Sequence, residues 1–324
     1  MEVDSIQPIN KRRLAIIDCG TNTFNLLVVD HHDSAWELVF SNKMPVKIGS
    51  GGFEEAIITE ARMVRAIDVL VHYHQVVKMM SVDEVKVVAT SAVRDASNKA
   101  RFTELVRKYT GWEVTVISGV GEATLIYEGV KQSGDLGPDP VLIMDIGGGS
   151  TEWIIANHDT MFWKKSYPLG VSRLFEKLAP EERLSRENMN ELRKMLDLQL
   201  GDLKAALAEF PCQHLIGASG SFDTLLDIFS SANADRLKFP NPNLQEIPLS
   251  AFPAMHIWLL GSTLKERMNH PAIPSIRAEY MPVSSFLIQY VLEISNCSKI
   301  FRSAFALKEG LIQNVLLNKE MYIE

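Results

Sequence analysis

The chain has 324 residues, enough for two ordinary domains, and 46% of them are apolar, enough for two sizeable cores. Its formal charge of −7 makes it a poor general binder of nucleic acid or of an anionic membrane, so a polyanionic ligand would need basic residues gathered at one site. Its three cysteines, Cys19, Cys212 and Cys297, have no paired spacing, which argues against a disulfide framework or zinc motif and for a reducing cytosol.

At the N-terminus Glu2 and Asp4 precede Lys11-Arg12-Arg13, and the apolar run that follows stops at Asp18. That pattern is neither a signal peptide nor a membrane anchor, and no later stretch approaches the roughly 20 apolar residues that span a bilayer. LAIIDCGTNTFNLLVVD (14–30) reads as strand, tight polar turn and strand. His31-His32-Asp33 is expected to be a hairpin turn. Residues 57–80 carry Met63, Val64, Ile67, Leu70, Val71 and Val77 at helical spacing. VKVVAT (85–90) is a short strand. Asn98 stands at the N-cap of the next helix and Gly111 at its stop. EVTVIS (113–118) is a strand, followed by a helix through Leu125, Ile126 and Val130.

Gly134, Gly137, Pro138 and Pro140 interrupt the pattern and are expected to mark a domain boundary. PVLIMDIGGGSTEWIIAN (140–157) repeats the strand, Gly-rich turn and strand. A long helix is expected over 185–209 with Ser185 as its cap, then a strand and turn at 214–221 and a loop at 241–248. Helices near 250–267, 280–296 and 306–320 follow, with a strand at 299–305. Alternating strands and helices predict α/β architecture. The two Asp-turn segments, about one domain length apart, form a weak internal repeat that predicts two similar domains with a cleft between them.

Successive backbone N–H groups in a Gly-rich turn point into one concavity, a ready anion site. Thr21, Thr23, Ser150 and Thr151 add hydroxyl donors. The candidate phosphate contacts are Gly20, Thr21, Asn22 and Thr23 in the first loop and Gly147, Gly148, Gly149, Ser150 and Thr151 in the second. Alone, 18–23 reads equally well as a hairpin turn, but three glycines between two strands need a reason for close approach. Asp18 and Asp145 end their strands beside these loops, and Glu152 opens the outgoing one. The aspartates are suited to a divalent cation that bridges to phosphate. No GxxxxGK[ST] sequence is present, so a Walker-type NTPase is not supported. Glu122, at the start of a helix, can activate a water for in-line attack on phosphorus, although alone it is an ordinary first-turn acid. Arg94 is the candidate to neutralise a transferring phosphoryl group, with Lys164, Lys165 and Arg173 as further basic residues. Cys19 is expected to pack as a small hydrophobe and Trp153, Trp163 and Tyr167 to belong to the core.

IIDCGTNTFNLLV, VVATSAVRDASN, VISGVGEATLIYEGV, IMDIGGGSTEWII, YPLGVSRL and ALKEGLI occur in that order. They resemble the successive motifs of the Ppx/GppA family, exopolyphosphatases and guanosine pentaphosphate phosphohydrolases, over nearly the whole chain. The two loops alone would indicate only the wider group of actin, Hsp70 and sugar kinases; ATSAVR and SGVGEATLIY make the resemblance specific. It implies a two-domain actin-like (ribonuclease H-like) fold with the site in the interdomain cleft. The expected division is 1–134, completed by a C-terminal helix at about 306–324, and 135–305. The resemblance also implies Glu122 as catalytic base, Glu152 as a second acid that orients water or metal, and Arg94, Asp145 and Gly147 at phosphate or metal positions. Mg²⁺ (or Mn²⁺) is the cation implied, with Asp18, Asp145 and Glu152 as its ligands.

The chain departs from the family pattern in places. DCGTNT stands where DLGSNS is common, and Gly121 where a glutamate often precedes the base. GASGSFDTL (217–225) matches the family's Gly-rich element loosely, which puts nucleotide contacts there in doubt. The C-terminal helical hydrolase-like domain of longer members is not expected here, and distributive action on short chains or a nucleotide pentaphosphate follows as an expectation. The expected function is hydrolysis of a terminal phosphoanhydride of polyphosphate or guanosine pentaphosphate by a homodimer. A small-molecule kinase on the same fold and a non-catalytic sensor are the alternatives; the presence of both Glu122 and Glu152 argues against the sensor.

Overall fold

The computed structural model describes residues 11–32, 35–232 and 241–319. Its first half runs β1 (Arg12–Cys19), β2 (Thr23–His32), β3 (Ala35–Pro45), α1 (Glu60–Met79), β4 (Glu84–Ala89), α2 (Ser91–Arg94), α3 (Lys99–Thr110), β5 (Val114–Val116) and α4 (Gly119–Ser133). The second half runs β6 (Val141–Ile146), β7 (Thr151–Ala156), β8 (Met161–Tyr167), α5 (Val171–Leu178), α6 (Arg186–Gln199), α7 (Gly201–Glu209), β9 (His214–Gly217), α8 (Gly220–Ala232) and β10 (Leu244–Ile247). It ends in α9 (Phe252–Gly261), α10 (Leu264–Asn269), α11 (Ser275–Ala278), α12 (Met281–Ser295), β11 (Lys299–Ser303) and α13 (Leu307–Leu316).

The strands form two sheets, β3-β2-β1-β4-β5 and β10-β11-β9-β6-β7-β8. In each, an antiparallel meander of three strands is extended by two parallel strands on the side of its first. The same order appears twice, the ribonuclease H-like arrangement of an actin-like protein, and the second sheet adds only the antiparallel edge strand β10. The weak repeat in the sequence is therefore a repeat of topology.

Period-two alternation explains the continuous apolar runs of the central strands, which are buried on both faces. In β1, Ala15, Ile17 and Cys19 join a cluster with α1 and α3, while Leu14 and Ile16 face the opposite way. In β6, Leu142, Met144 and Ile146 face the helical layer of the second half, and Val141 and Ile143 face away from it. The two outward-turned faces share one cluster with Leu125 and Ile126 of α4 and Leu311 and Ile312 of α13. These two helices cross on glycines. A Cβ at Gly129 would sit 2.7 Å from the Ala306 carbonyl carbon, and one at Gly310 would sit 2.7 Å from that of Leu125. The small residues let α13 lie backbone to backbone against α4, so the end of the chain helps tie the two sheets together.

Several expectations change. The 185–209 helix is two helices broken at Leu200, and Gly201, a weak helix former, opens the second. Ser185 does cap α6, in a capping box with Asn188. The 250–267 helix splits at Thr263, which caps α10 together with Glu266. The 241–248 loop contains β10, whose partner β11 lies some fifty residues on. Asn98 stands at the N-cap of α3 as expected, but its side chain makes no capping bond: its amide accepts from Ile58 N at 2.9 Å and donates to Ile58 O at 2.8 Å, pinning the entry to α1. Gly111 stops α3 in the left-handed region at φ 76°, as its position predicts. The His31-His32-Asp33 turn falls partly outside the described residues, but β2 and β3 pair antiparallel on either side of it.

Candidate active site

Strand register builds the site. Asp18 pairs with Asn25 across β1 and β2, and Asp145 pairs with Glu152 across β6 and β7. Each loop thus sits between an aspartate at a strand end and a polar residue opposite it. In the first loop that residue is an amide, and Asn25 Nδ2 donates to Asp18 Oδ2 at 2.9 Å. In the second it is a carboxylate, Glu152, which accepts from Ser166 Oγ at 2.6 Å.

The loops touch one another. A Cβ at Gly148 would lie 2.8 Å from Thr21 Cγ2, and one at Gly149 would lie 2.6 Å from Ser91 Oγ. Ser172 Oγ donates to Asn22 Oδ1 at 2.8 Å across the same seam. The triple glycine is therefore needed for one loop to close upon the other as well as to expose backbone N–H groups. Between them opens a cavity of about 210 Å³ lined by Asp18, the two loops, Thr90, Ser91, Glu122 and Asp145. Gly20, Thr21, Asn22, Thr23, Gly147, Gly148, Gly149 and Ser150 all reach it. Thr151 does not: it is fully buried and donates to the Leu169 carbonyl at 2.9 Å.

Glu122 is placed by Ser118, whose hydroxyl accepts from Gly121 N and caps α4. Its carboxylate accepts from Arg94 Nη1 at 2.8 Å, and that guanidinium also donates to the Ile117 carbonyl at 3.2 Å. Burial first, then the charge of Glu152, raises the Glu122 pKa well above the carboxylate range, against the pull of Arg94. Burial and then Asp145 push Glu152 up to about 7, and burial with Glu122 and Asp18 pushes Asp145 up to about 8. Three carboxylates lining one cavity, with the buried Glu152 close behind them, cannot all ionise cheaply near neutrality without added positive charge.

A hard divalent cation fits that electrostatic demand. Asp18 Oδ1 is buried without a hydrogen-bond partner, and the acidic donors are all oxygens. The three expected ligands do not close into one shell, however. Among the described residues no group of three or more His, Cys, Asp or Glu side chains is placed to hold a metal. Glu152 is 1% exposed, is engaged by Ser166, and does not line the cavity. Asp18 and Asp145 do line it, so of the three expected ligands these two are the carboxylates that the cavity offers.

The basic residues differ most from expectation. Lys164 donates to Thr124 Oγ1 at 2.5 Å, Lys165 pairs with Asp202, and Arg173 pairs with Asp95. None of the three lines the cavity, and Arg94 stands behind Glu122 rather than in the lining. The cavity instead takes Lys43 from β3, Lys308 from α13 and Arg277 from α11. Enclosure by the walls, then the charges of Arg277 and Lys308, brings Lys43 down to about 8 although its side chain still opens to solvent. Burial would lower Lys308, but Glu309, Asp18, Asp223 and Asp145 hold it raised. The one signal in the sequence was Lys308 in the first turn of a helix, where the dipole disfavours a cation. Cys19 is 1% exposed with its thiol pKa raised by burial and Asp18, so it packs as a core residue. Trp153 and Tyr167 are buried, and Trp163 packs against the same core.

A model of the Ppx/GppA phosphatase family matches residues 27–319. The chain is 26% identical over 311 residues to the guanosine-5'-triphosphate,3'-diphosphate pyrophosphatase of Vibrio cholerae, covering 96% of this chain and 60% of that protein. It is 25% identical over 315 residues to a putative exopolyphosphatase of Haemophilus influenzae, covering 95% and 93%. Among solved structures, an exopolyphosphatase from Cytophaga hutchinsonii superposes with a TM-score of 0.92 at 32% identity, covering 96% of this chain and 99% of that one. The Aquifex aeolicus Ppx/GppA family member shares the fold with a TM-score of 0.77 at 24% identity, covering 95% and 98%. The chain thus spans well under two thirds of the length of its Vibrio relative and nearly all of the other three.

Proposed function

The chain belongs to the Ppx/GppA phosphatase family, and from that premise we propose that it hydrolyses the terminal phosphoanhydride of inorganic polyphosphate or of guanosine pentaphosphate, releasing orthophosphate. The observation that carries this reading is Glu122: a buried carboxylate of raised proton affinity that lines the cavity between two Gly-rich loops. A base in that position suits water as the nucleophile. Water attacks the terminal phosphorus, Glu122 accepts its proton, and the bond to the bridging oxygen breaks, leaving a chain one phosphate shorter and orthophosphate. Backbone N–H groups of the loops at 20–23 and 147–150 cradle the phosphoryl oxygens, with Thr21 and Ser150 as hydroxyl donors. Arg94 holds Glu122 in place and lends positive charge to the reacting end. Glu152, hydrogen-bonded to Ser166, sets the field around Glu122 and Asp145. Asp18 and Asp145 would hold Mg²⁺ (or Mn²⁺), which when bound neutralises charge on the phosphate oxygens.

The test is orthophosphate release by the purified protein from linear polyphosphate, pppGpp and ATP in parallel, with Mg²⁺ or with excess chelator. The expected result is metal-dependent release from one or both of the first two, with ATP the poorest substrate. Release from none of them, or transfer from ATP to an acceptor hydroxyl, would overturn the reading.

A further inference from the structure

Three cations, Lys43, Lys308 and Arg277, line the cavity together with the two loops. Arg277 lies against Gly220, at the start of α8, and its charge is felt most by Asp223 and Asp227 rather than by the loops. Neither lysine makes an ion pair or hydrogen bond among the described residues, so two cations without a partner side chain line the cavity beside it.

At the far end the room that glycines leave is filled by the chain itself. A Cβ at Gly217 would overlap the ring of Phe222. One at Gly220 would lie 2.6 Å from Arg277 Nε and closer still to the rest of the guanidinium. Arg277 is held over that backbone by Thr224 Oγ1, at 3.0 Å, and by Asp223, at 3.5 Å. Asp223 is fixed in turn by Arg302 Nε at 2.7 Å. The guanidinium has five donors and two partners, so it can still accept an anion. Tyr280, the aromatic residue in the lining, is 7% exposed, packs edge-on to Phe175, and carries Lys47 Nζ 5.3 Å from its ring centroid. Among the described residues no free ring face lines this end, and the room beside Gly220 is taken by the Arg277 guanidinium, with Ile276 and Met281 as the apolar side chains next to it.

We propose that Arg277 is the specificity-determining residue of the cleft: it binds a distal phosphate of an inorganic polyphosphate chain and, lying across Gly220, closes the start of α8 to a nucleoside. This rests on the proposed function for its setting, and it selects between the two substrates that function leaves open. A phosphate chain meets the cations Lys43, Lys308 and Arg277 in one cavity, whereas pppGpp would have to set its ribose and base against guanidinium and ammonium groups.

The experiment measures equilibrium affinity for a linear polyphosphate of defined length and for pppGpp, with orthophosphate release recorded beside it. Wild type, Arg277→Ala and Arg277→Lys are compared, with thermal melting as the check on folding. Wild type is expected to bind polyphosphate at least about tenfold more tightly than pppGpp. Loss of a charge-assisted contact is expected to weaken polyphosphate binding by Arg277→Ala about tenfold or more. Affinity for pppGpp should hold or rise, and Arg277→Lys should recover part of the polyphosphate affinity. If Arg277→Ala does not fold, the partial loss in Arg277→Lys decides the same question, because a merely structural arginine would not change the ratio between the ligands. Equal wild-type affinities, or an Arg277 variant that weakens pppGpp as much as polyphosphate, would overturn the inference. The expected affinity pattern without orthophosphate release would overturn the hydrolytic function and leave the specificity assignment standing.

Discussion

Replacing Glu122 by glutamine separates catalysis from stability in a way the surroundings make quantitative. The residue is 7% exposed and its carboxylate accepts from Arg94 at 2.8 Å. An amide oxygen can accept the same bond without steric change. What the substitution removes is the negative charge that burial and Glu152 make costly to hold. Arg94 keeps Asp95, 3.7 Å from its Nε, and the nearby Glu152 as counter-charges, so it is not stranded. A neutral amide cannot take a proton from water, and loss of a general base costs about 10²–10⁴-fold in rate. At about 1.36 kcal/mol per decade, that is roughly 3–5 kcal/mol on the barrier. The expected outcome in a steady-state phosphate-release assay is a fall of that size in kcat with KM little changed. Thermal melting of the metal-free variant should give a Tm no lower than wild type. Turnover within tenfold of wild type would mean that Glu122 is not the base. A large drop in Tm would mean that its charge is held by more than Arg94, and the account of the pair would be wrong.

Gly129→Ala places a methyl 2.7 Å from the Ala306 carbonyl carbon, so α4 and α13 must separate; a loss of about 1–3 kcal/mol in denaturant unfolding is expected, and an unchanged midpoint would contradict the close crossing. Arg94→Lys keeps charge but replaces the rigidly held Nη1, which donates to both Glu122 and the Ile117 carbonyl, by a shorter, rotatable ammonium, so kcat should fall about tenfold or more while substrate affinity changes little, and undiminished kcat would remove Arg94 from the reacting end. Lys43→Met and Lys308→Met should each raise KM and flatten its dependence on salt, because each removes a cation from the path of a polyanion; a change confined to kcat would place them elsewhere. Asp145→Asn should weaken Mg²⁺ dependence and lower activity at saturating substrate, whereas full activity in excess chelator would dispose of the metal role.

The chemistry-bearing loops were legible in the sequence because each is local. Asp18 with its turn and Asp145 with its triple glycine carry strand, turn and hydroxyl donors within a few consecutive residues, and no distant partner is needed to recognise them. Glu122 and Arg94 were singled out by the family motifs that hold them, because alone Glu122 reads as an ordinary first-turn acid. The apolar runs of β1 and β6 announced central strands, and Gly111 announced a helix stop that only its own backbone angle had to satisfy. What the tertiary structure decided is everything supplied one residue at a time by distant elements. Lys43 comes from an edge strand, Lys308 from the last helix and Arg277 from a single helical turn, and apart from the place of Lys308 in a first helical turn nothing local distinguishes them from Lys164, Lys165 and Arg173, which sequence reasoning preferred. β10 looked like a loop because its pairing with β11 is long-range, and Asn98 was legible as the N-cap position of α3 while the use of its amide in holding Ile58 is not written in its neighbours. Glycines 148, 149, 129 and 310 are visible as glycines, but which backbone or side chain approaches them depends on how two sheets and two helices pack. Local backbone chemistry is encoded in neighbouring residues, whereas a charged path is encoded only by the register and packing that bring separate elements to one cleft.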